Sequence, residues 1–426
     1  MLRAAALALP AIIAAVLLPA LPDALARAGQ ASAVGTDAGA PPPAPPAPIA
    51  TLPTTLGAAS NFSQGWSAHT LDAALALPNT AFRDGMRWAE VETAPSSYSA
   101  TRARHRYPVM LEQRGAQLVL VAAGGNPLYD GGHTPHSPPA VAAFARYVAD
   151  QVRRHEVIVA VEVGNEFNSA NFVSGPVREA GLAARGRYHL ALVRAVAAEV
   201  RAVRPEVLIL GGAAHSIPAG YLWPILDAAE PGLIDGLAVH PYTTPIDELA
   251  GQIGVLRSHP AARALPLHVT EFGTTDLAAA PDHLIRGYAV LASLGAASFY
   301  WYPLNPRGDG TAALLADDGS FTPAGEAFGF ASRLLAPRRA RDISPDPFTR
   351  IHAFGTDTLV LWGAPRAVRL RRDDITAHDA RGRRLDPGGL ALAEERALVL
   401  TAARPIDPAR DLELGCLALA ADTRWQ

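Results

Sequence analysis

The chain has 426 residues, 49% of them apolar, enough for one large domain with a smaller companion. Its formal net charge of −3 gives no electrostatic case for nucleic acid. All 37 basic residues are arginine, which excludes a phosphate-loop lysine, a pyridoxal Schiff base and a lysine aldolase, and the single cysteine excludes an internal disulfide or a Cys/His zinc cluster.

An apolar run from Ala4 to Ala20 follows Arg3, and Ala26-Arg27-Ala28 resembles a signal-peptidase site. The segment reads as a secretory signal over 1–28, with an N-terminal membrane anchor as the alternative. Export to the periplasm or the exterior is the expected localisation. Residues 29–51 are rich in Pro and Ala and read as an extended linker.

From residue 52 short apolar runs alternate with longer Ala/Leu/Arg stretches of helical spacing. Strands are expected at Thr55–Ala59, Ala81–Met86, Gln117–Ala122, Ile158–Val163, Val207–Leu210, Leu233–Val239, Leu267–Thr270 and Ala297–Trp301. Helices are expected at Pro139–Arg154, Arg185–Val203, Pro281–Leu294 and Pro323–Leu335. Eight such alternations suit a (β/α)8 TIM barrel over 52–340, and no Gly-rich turn follows the first strand to suggest a dinucleotide-binding sheet. After about Ala340 short alternating runs and turn signals, Thr349–Phe354, Thr358–Trp362, Ala367–Arg371 and Ala397–Thr401, predict a small C-terminal all-β, sandwich-like domain over 341–426. Cys416, between Gly415 and Leu417, reads as a buried, inert thiol.

Active sites of such barrels sit where the strands end. Strand two ends in Arg83-Asp84-Gly85-Met86-Arg87-Trp88, strand three in Gly125-Asn126, strand four in Gly164-Asn165-Glu166, and strand five near His215. Strand six ends in His240-Pro241-Tyr242, strand seven in Glu271, and strand eight in Tyr300-Trp301-Tyr302. Glu166 and Glu271 are three strand–helix units apart, which sets two carboxylates across a central cleft. Glycosidic bond cleavage needs such a pair, one protonated and one ionised. Glu162 shares a strand side with Glu166 and could also point into the barrel. His133-Thr134-Pro135-His136 lies in a Gly/Pro-rich loop without helical spacing or a third ligand, and reads as solvated loop.

Asn165-Glu166, His240-Pro241-Tyr242, Thr270-Glu271-Phe272-Gly273 and Tyr300-Trp301, in this order and spacing, resemble the strand-end motifs of clan A glycoside hydrolases. Phe82-Arg83-Asp84 and Trp88 to Glu92 resemble the strand-two segment of family 39-like and bacterial cellulase-like members. The resemblance implies Glu166 as acid/base and Glu271 as nucleophile of a retaining hydrolase. It implies Asn165 on the substrate 2-hydroxyl, Arg83 (rather than Arg87) and Tyr242 on the nucleophile, His240 ordering the cleft, and Trp301 as a sugar platform. Asn126 and His215 are rim candidates for substrate contact. Trp88 reads as packing. The expected partner is a poly- or oligosaccharide and the expected state a monomer, with no metal or cofactor required. A sugar-binding barrel without activity and a transglycosylase are the readings left beside hydrolysis.

Overall fold

The computed structural model describes residues 52–65, 67–78 and 81–416. The signal and linker segments expected at 1–51 lie outside the described residues. Among the described residues no helix is long and apolar enough to cross a membrane.

Eight parallel strands close into a barrel: β1 (Thr55–Ala59), β2 (Ala81–Gly85), β3 (Gln117–Ala122), β4 (Ile158–Val163), β5 (Leu208–His215), β6 (Gly236–His240), β7 (Leu267–Phe272) and β8 (Ser298–Trp301). Each pairs with its chain neighbours, and β8 closes on β1 through Thr55↔Ser298 to Ala58↔Trp301. The strands are almost continuously apolar because both faces are covered. One face meets the barrel interior and the other meets helices α1 (Ala68–Ala76), α2 (Tyr107–Glu112), α3 (Pro138–Arg154), α4 (Leu182–Val203), α5 (Ala219–Ala228), α6 (Leu249–Leu256), α7 (Ala280–Ser293) and α8 (Pro323–Leu334). Local signals start several of these helices. Ser137 accepts from the Ala140 amide ahead of Pro138, and Thr322 accepts from the Gly325 amide ahead of Pro323.

The barrel floor is filled unevenly. Ala81, Val119, Ala160, Leu210 and Ala238 surround the single large ring of Tyr300. Gly57 makes room for that ring, since a Cβ there would stand 2.3 Å from Tyr300 Cδ1. Gly236 likewise admits His268, which hydrogen-bonds Ser298 Oγ at 3.0 Å.

β5 runs past its expected end at Leu210 to His215. The β5–β6 register shifts between Gly211 and Ala214, where Gly212 and Ala213 take φ of 91° and 40°. A bulge of this kind bends a strand and re-aims the side chains beyond it. A short helix, Trp88–Val91, and a two-stranded ribbon, Glu92–Ala94 with Ser97–Tyr98, intervene between β2 and α2.

The C-terminal region forms two antiparallel sheets. The strands are β9 (Ala340–Asp342), β10 (Thr349–Phe354), β11 (Thr358–Gly363), β12 (Arg366–Leu370), β13 (Thr376–His378), β14 (Ala391–Leu392), β15 (Leu398–Thr401) and β16 (Leu412–Leu414). One sheet has the order β9-β10-β11-β15-β13 and the other β14-β12-β16. The 340/341 boundary expected from sequence falls inside β9. Alternation splits β10 and β11 between two cores. Ile351, Ala353, Leu359 and Leu361 face the second sheet, while Phe354, Val360 and Trp362 join the core of the barrel. Helix α7 is the seam. Tyr288 stacks on Phe354, Ser293 Oγ and His352 Nδ1 lie 2.8 Å apart, and Asp282 accepts from the Ala397 amide at 2.7 Å. Trp362 donates to Asp247 at 2.9 Å under the Arg286 guanidinium. Cys416 is exposed, not buried, because it lies just beyond the edge strand β16.

Candidate active site

The C-terminal strand ends gather most of the expected residues into one hydrogen-bonded cluster around a buried carboxylate. Glu162, on β4, is wholly buried and points inward. Arg83 of β2 donates to it through Nε at 2.7 Å and Nη2 at 3.1 Å. His240 of β6 lies against it at 3.2 Å through Nε2, and Thr270 of β7 donates at 3.2 Å. Burial works to raise the Glu162 carboxyl, but the Arg83 charge and the His240 hydrogen bond outweigh it and hold the group down at about 2.

Arg83 also donates through Nη1 to Glu271 and through Nη2 to Asn165 Oδ1 at 2.8 Å. With that oxygen occupied, the Asn165 amide nitrogen is the group available to a ligand. Tyr242 donates its hydroxyl to the other oxygen of Glu271 at 2.8 Å. Burial and the neighbouring Glu271 charge push the Tyr242 phenol well up, so it remains a donor. Arg87 does not compete for Glu271; it is largely exposed and sits 3.7 Å from Glu90.

Glu166 follows β4 after the left-handed Gly164 (φ 89°), and is itself left-handed at φ 43°. That conformation is uncommon for a residue with a side chain and concentrates at functional positions. Its Oε1 meets His240 Nδ1 at 3.1 Å and His215 Nδ1 at 3.2 Å. Asn168 fixes His215 by accepting from its amide at 2.8 Å and donating to its carbonyl at 3.0 Å. In this geometry the Glu166 carboxyl is lowered rather than raised as a resting general acid requires. Burial pushes it up, and hydrogen bonds and charge from His240 and His215 more than reverse that. His240 is fully buried; burial lowers its pKa, yet Glu271, Glu162 and Glu166 carry it up to about 9. The surrounding carboxylates thus favour its protonated form, with Nδ1 facing Glu166 and Nε2 facing Glu162 and Thr270.

Glu166, His240 and Glu271 each present one ligand-type atom, all within 4.8 Å of one another. The two carboxylates thus face each other across a short gap. Such a trio has metal-like spacing, but both His240 nitrogens are engaged and the Arg83 guanidinium already supplies a fixed cation.

Two expected substrate contacts fall elsewhere. Asn126 is 1% exposed and spends its side chain on structure, donating to the Glu92 carbonyl at 2.8 Å and accepting from the Leu128 amide at 3.0 Å. It ties the β3 loop to the ribbon after β2. Trp301 has no exposed surface and donates to the Ala312 carbonyl at 2.8 Å, so it is no sugar platform. Plain alternation along β8 sends Phe299 and Trp301 into the core on the helix side and puts Tyr300 inside the barrel, with Tyr302 next on the pocket. Trp88 is buried against Tyr129 and Tyr147 and donates to Glu92 at 2.5 Å. His136 contacts Asp130 and the Thr134 carbonyl within its own loop.

The pocket beside Glu271 has a volume of about 310 Å³ and includes Arg83, Asn165, Tyr302, Phe172, Gln64, Arg87 and Arg307 in its walls. Asp84, buried beneath it, accepts from Ser60 and Ser63 hydroxyls at 2.8 and 2.7 Å and pins the β1 loop. Sequence reading gave no individual role to Thr270, Asn168, Tyr302, Phe172 and Arg307. For Tyr302 a signal existed, its place in the aromatic run that ends β8.

No family model matches the sequence, and no curated protein matches it. Solved structures do. A family 39 glycoside hydrolase from the gut symbiont Bacteroides cellulosilyticus WH2 is similar at TM-score 0.65 and 18% identity, over 82% of this chain and 81% of that one. The family 30 subfamily 8 xylanase Xyn30A from Clostridium acetobutylicum matches at 0.58 and 13%, over 83% and 98%. A family 39 β-xylosidase from Caulobacter crescentus matches at 0.58 and 13%, over 82% and 96%. The chain therefore shares the (β/α)8 barrel fold of clan A glycoside hydrolases, with antiparallel sheets following the barrel.

Proposed function

We propose that this protein is a retaining glycoside hydrolase acting by double displacement on a poly- or oligosaccharide. The observation that carries the reading is the short separation of Glu166 and Glu271 across the strand ends, with oxygens within 4.8 Å. Retaining enzymes hold their carboxyl groups at roughly 5–5.5 Å, whereas inverting ones leave about 6.5–9.5 Å for a water. Glu271, oriented by Arg83 and Tyr242, attacks the anomeric carbon and forms a glycosyl ester. Glu166 gives its proton to the leaving oxygen, then takes one from the water that attacks the ester. Because burial already works to raise this carboxyl, a bound sugar that displaces water strengthens that push and raises it before this step. The Asn165 amide suits a hydrogen bond to the sugar 2-hydroxyl that strengthens as charge develops. The likeness to family 39 and family 30 enzymes supports the sugar-cleaving reading. The apolar N-terminal run supports action beyond the cytoplasmic membrane.

The test is a reducing-sugar assay over a polysaccharide panel, with proton NMR on fresh product. Wild type should release sugar whose anomer matches the substrate, and Glu271→Gln should lower kcat at least a thousandfold with an unchanged circular dichroism spectrum. Inverted product would sink the double displacement, and near-normal turnover by Glu271→Gln would sink the assignment of the nucleophile.

A further inference from the structure

The pocket beside Glu271 holds more positive charge than double displacement uses. Arg83 is balanced by Glu162 and Glu271. Arg307 is not balanced. It stands half-buried on the loop after β8, in Pro306-Arg307-Gly308-Asp309-Gly310, where Gly308 and Gly310 adopt left-handed φ of 77° and 81°. Among the described residues its guanidinium makes no ion pair and no hydrogen bond. The nearby acid, Asp309, is committed elsewhere: it accepts from the Tyr302 hydroxyl at 2.7 Å and the Thr311 amide at 3.0 Å. Arg87 lines the same pocket and has only a loose contact with Glu90, 3.7 Å away. Glu90 itself is gripped by Arg104 through both oxygens, at 2.8 and 2.7 Å.

A guanidinium partly withdrawn from water without a partner is desolvated for no return until an anion arrives. Its planar fork fits a carboxylate through two parallel hydrogen bonds, a match a neutral hydroxyl cannot make. The volume, about 310 Å³, is at the lower end for small-ligand pockets. Phe172, half exposed in the lining of the same pocket, offers an apolar face to the C–H side of a ring.

We propose that the sugar bound in this pocket carries a carboxylate, so that the substrate is a uronic-acid-containing glycan, with Arg307 as the principal anion partner and Arg87 at the mouth. This rests on the glycosidase reading above and specifies its substrate class. The carboxylate is bound and released unchanged; the cleaved bond is still the glycosidic one.

The test compares matched aryl glycosides that differ only at C6, uronide against neutral hexoside, in both anomers and in gluco and galacto series, with the full chain. Wild type should favour a uronide by at least tenfold in kcat/KM. Arg307→Ala should cut the uronide-to-hexoside ratio by about ten- to a hundredfold, the range for losing a charge-assisted contact. Arg307→Lys should restore part of it, since charge returns without the fork. A wild-type preference for the neutral member, or a ratio unmoved in Arg307→Ala, overturns the inference. Hydrolysis of neutral hexosides that Glu271→Gln abolishes would leave the glycosidase reading standing while the carboxylate inference falls. If no glycoside is cleaved, calorimetry with D-glucuronate and D-galacturonate against glucose and galactose decides. Uronate binding lost in Arg307→Ala supports the anion site while the hydrolytic reading falls, and equal or absent binding overturns the site.

Discussion

Glu162 is the residue on which the cluster turns, though it does not line the pocket beside Glu271. It joins Arg83, which orients one proposed catalytic carboxylate, to His240, which contacts the other. Removing one partner of a buried ion pair costs about 3–5 kcal/mol, because the remaining charge stays buried unpaired. Glu162→Gln should therefore lower the denaturation midpoint by a comparable free energy, and should lower kcat more than it changes KM. An unchanged urea midpoint would show that the network is not held by this charge. At Glu166 the expectation is chemical. Glu166→Ala should lose about 10²–10⁴ in rate on glycosides with poor leaving groups, the usual contribution of general acid catalysis. It should lose far less in the first step on leaving groups that need no proton. Equal losses in single-turnover rates on both would exclude Glu166 as the proton donor.

At the scale of elements, most of the cluster was legible because polar residues ending apolar strands have few structural reasons to be there. Asn165, Glu166, His240 and Glu271 all lie at the ends of buried runs. The sequence did not reveal which strand ends become covered. Asn126 is capped by the ribbon after β2, and Trp301 by the return of the β8 loop at Ala312. Neither contact is encoded in local spacing. The bulges in β5, between Gly211 and Ala214, and in β7, between Val269 and Phe272, are equally unmarked, since a single extra residue reverses which side chains beyond it face the cleft. The C-terminal sheets were foreseen as elements, but their docking on α7 was not. That seam gives a direct expectation. Trp362, 1% exposed and hydrogen-bonded to Asp247, should cost about 3–5 kcal/mol when replaced by Ala. Differential scanning calorimetry should still show one transition, at lower temperature. Two separated transitions would mean that the sheets and the barrel unfold independently once this contact goes.

For the whole molecule, buried histidines set the pH range of stability. His189, His268, His283 and His352 are each pushed down to about 4 by burial. A histidine held neutral in the fold contributes stability above its unfolded pKa of about 6.5 and loses it as pH falls towards 4. His240 runs the other way. Raised to about 9, it contributes fully below about 6.5, and that contribution fades as pH rises through 9. Glu162, lowered to about 2, contributes above its ordinary value near 4.5 and loses that below it. Four depressed histidines outweigh one raised one, so Tm should fall steeply between pH 6.5 and 4 and more gently above pH 7. A flat Tm across the acid range would show that these imidazoles gain water or partners when protonated.

The imidazolium of His240 has a further consequence for timing within a turnover. Among the charges that raise it, Glu271 is the largest. On the proposed cycle that negative charge disappears when Glu271 becomes an ester, so the grip on the His240 proton loosens midway, as Glu166 changes from acid to base. The His240 pKa therefore shifts downward in the second half-reaction, while Glu162 and Glu166 still raise it. A pyridinium glycoside, whose leaving group departs as neutral pyridine and carries no proton, should then release protons to a weakly buffered indicator in step with the first burst if ester hydrolysis is the slow step. A barrel that stores its proton count in a side chain away from the sugar sets the acidity of its working glutamate by the progress of the reaction itself.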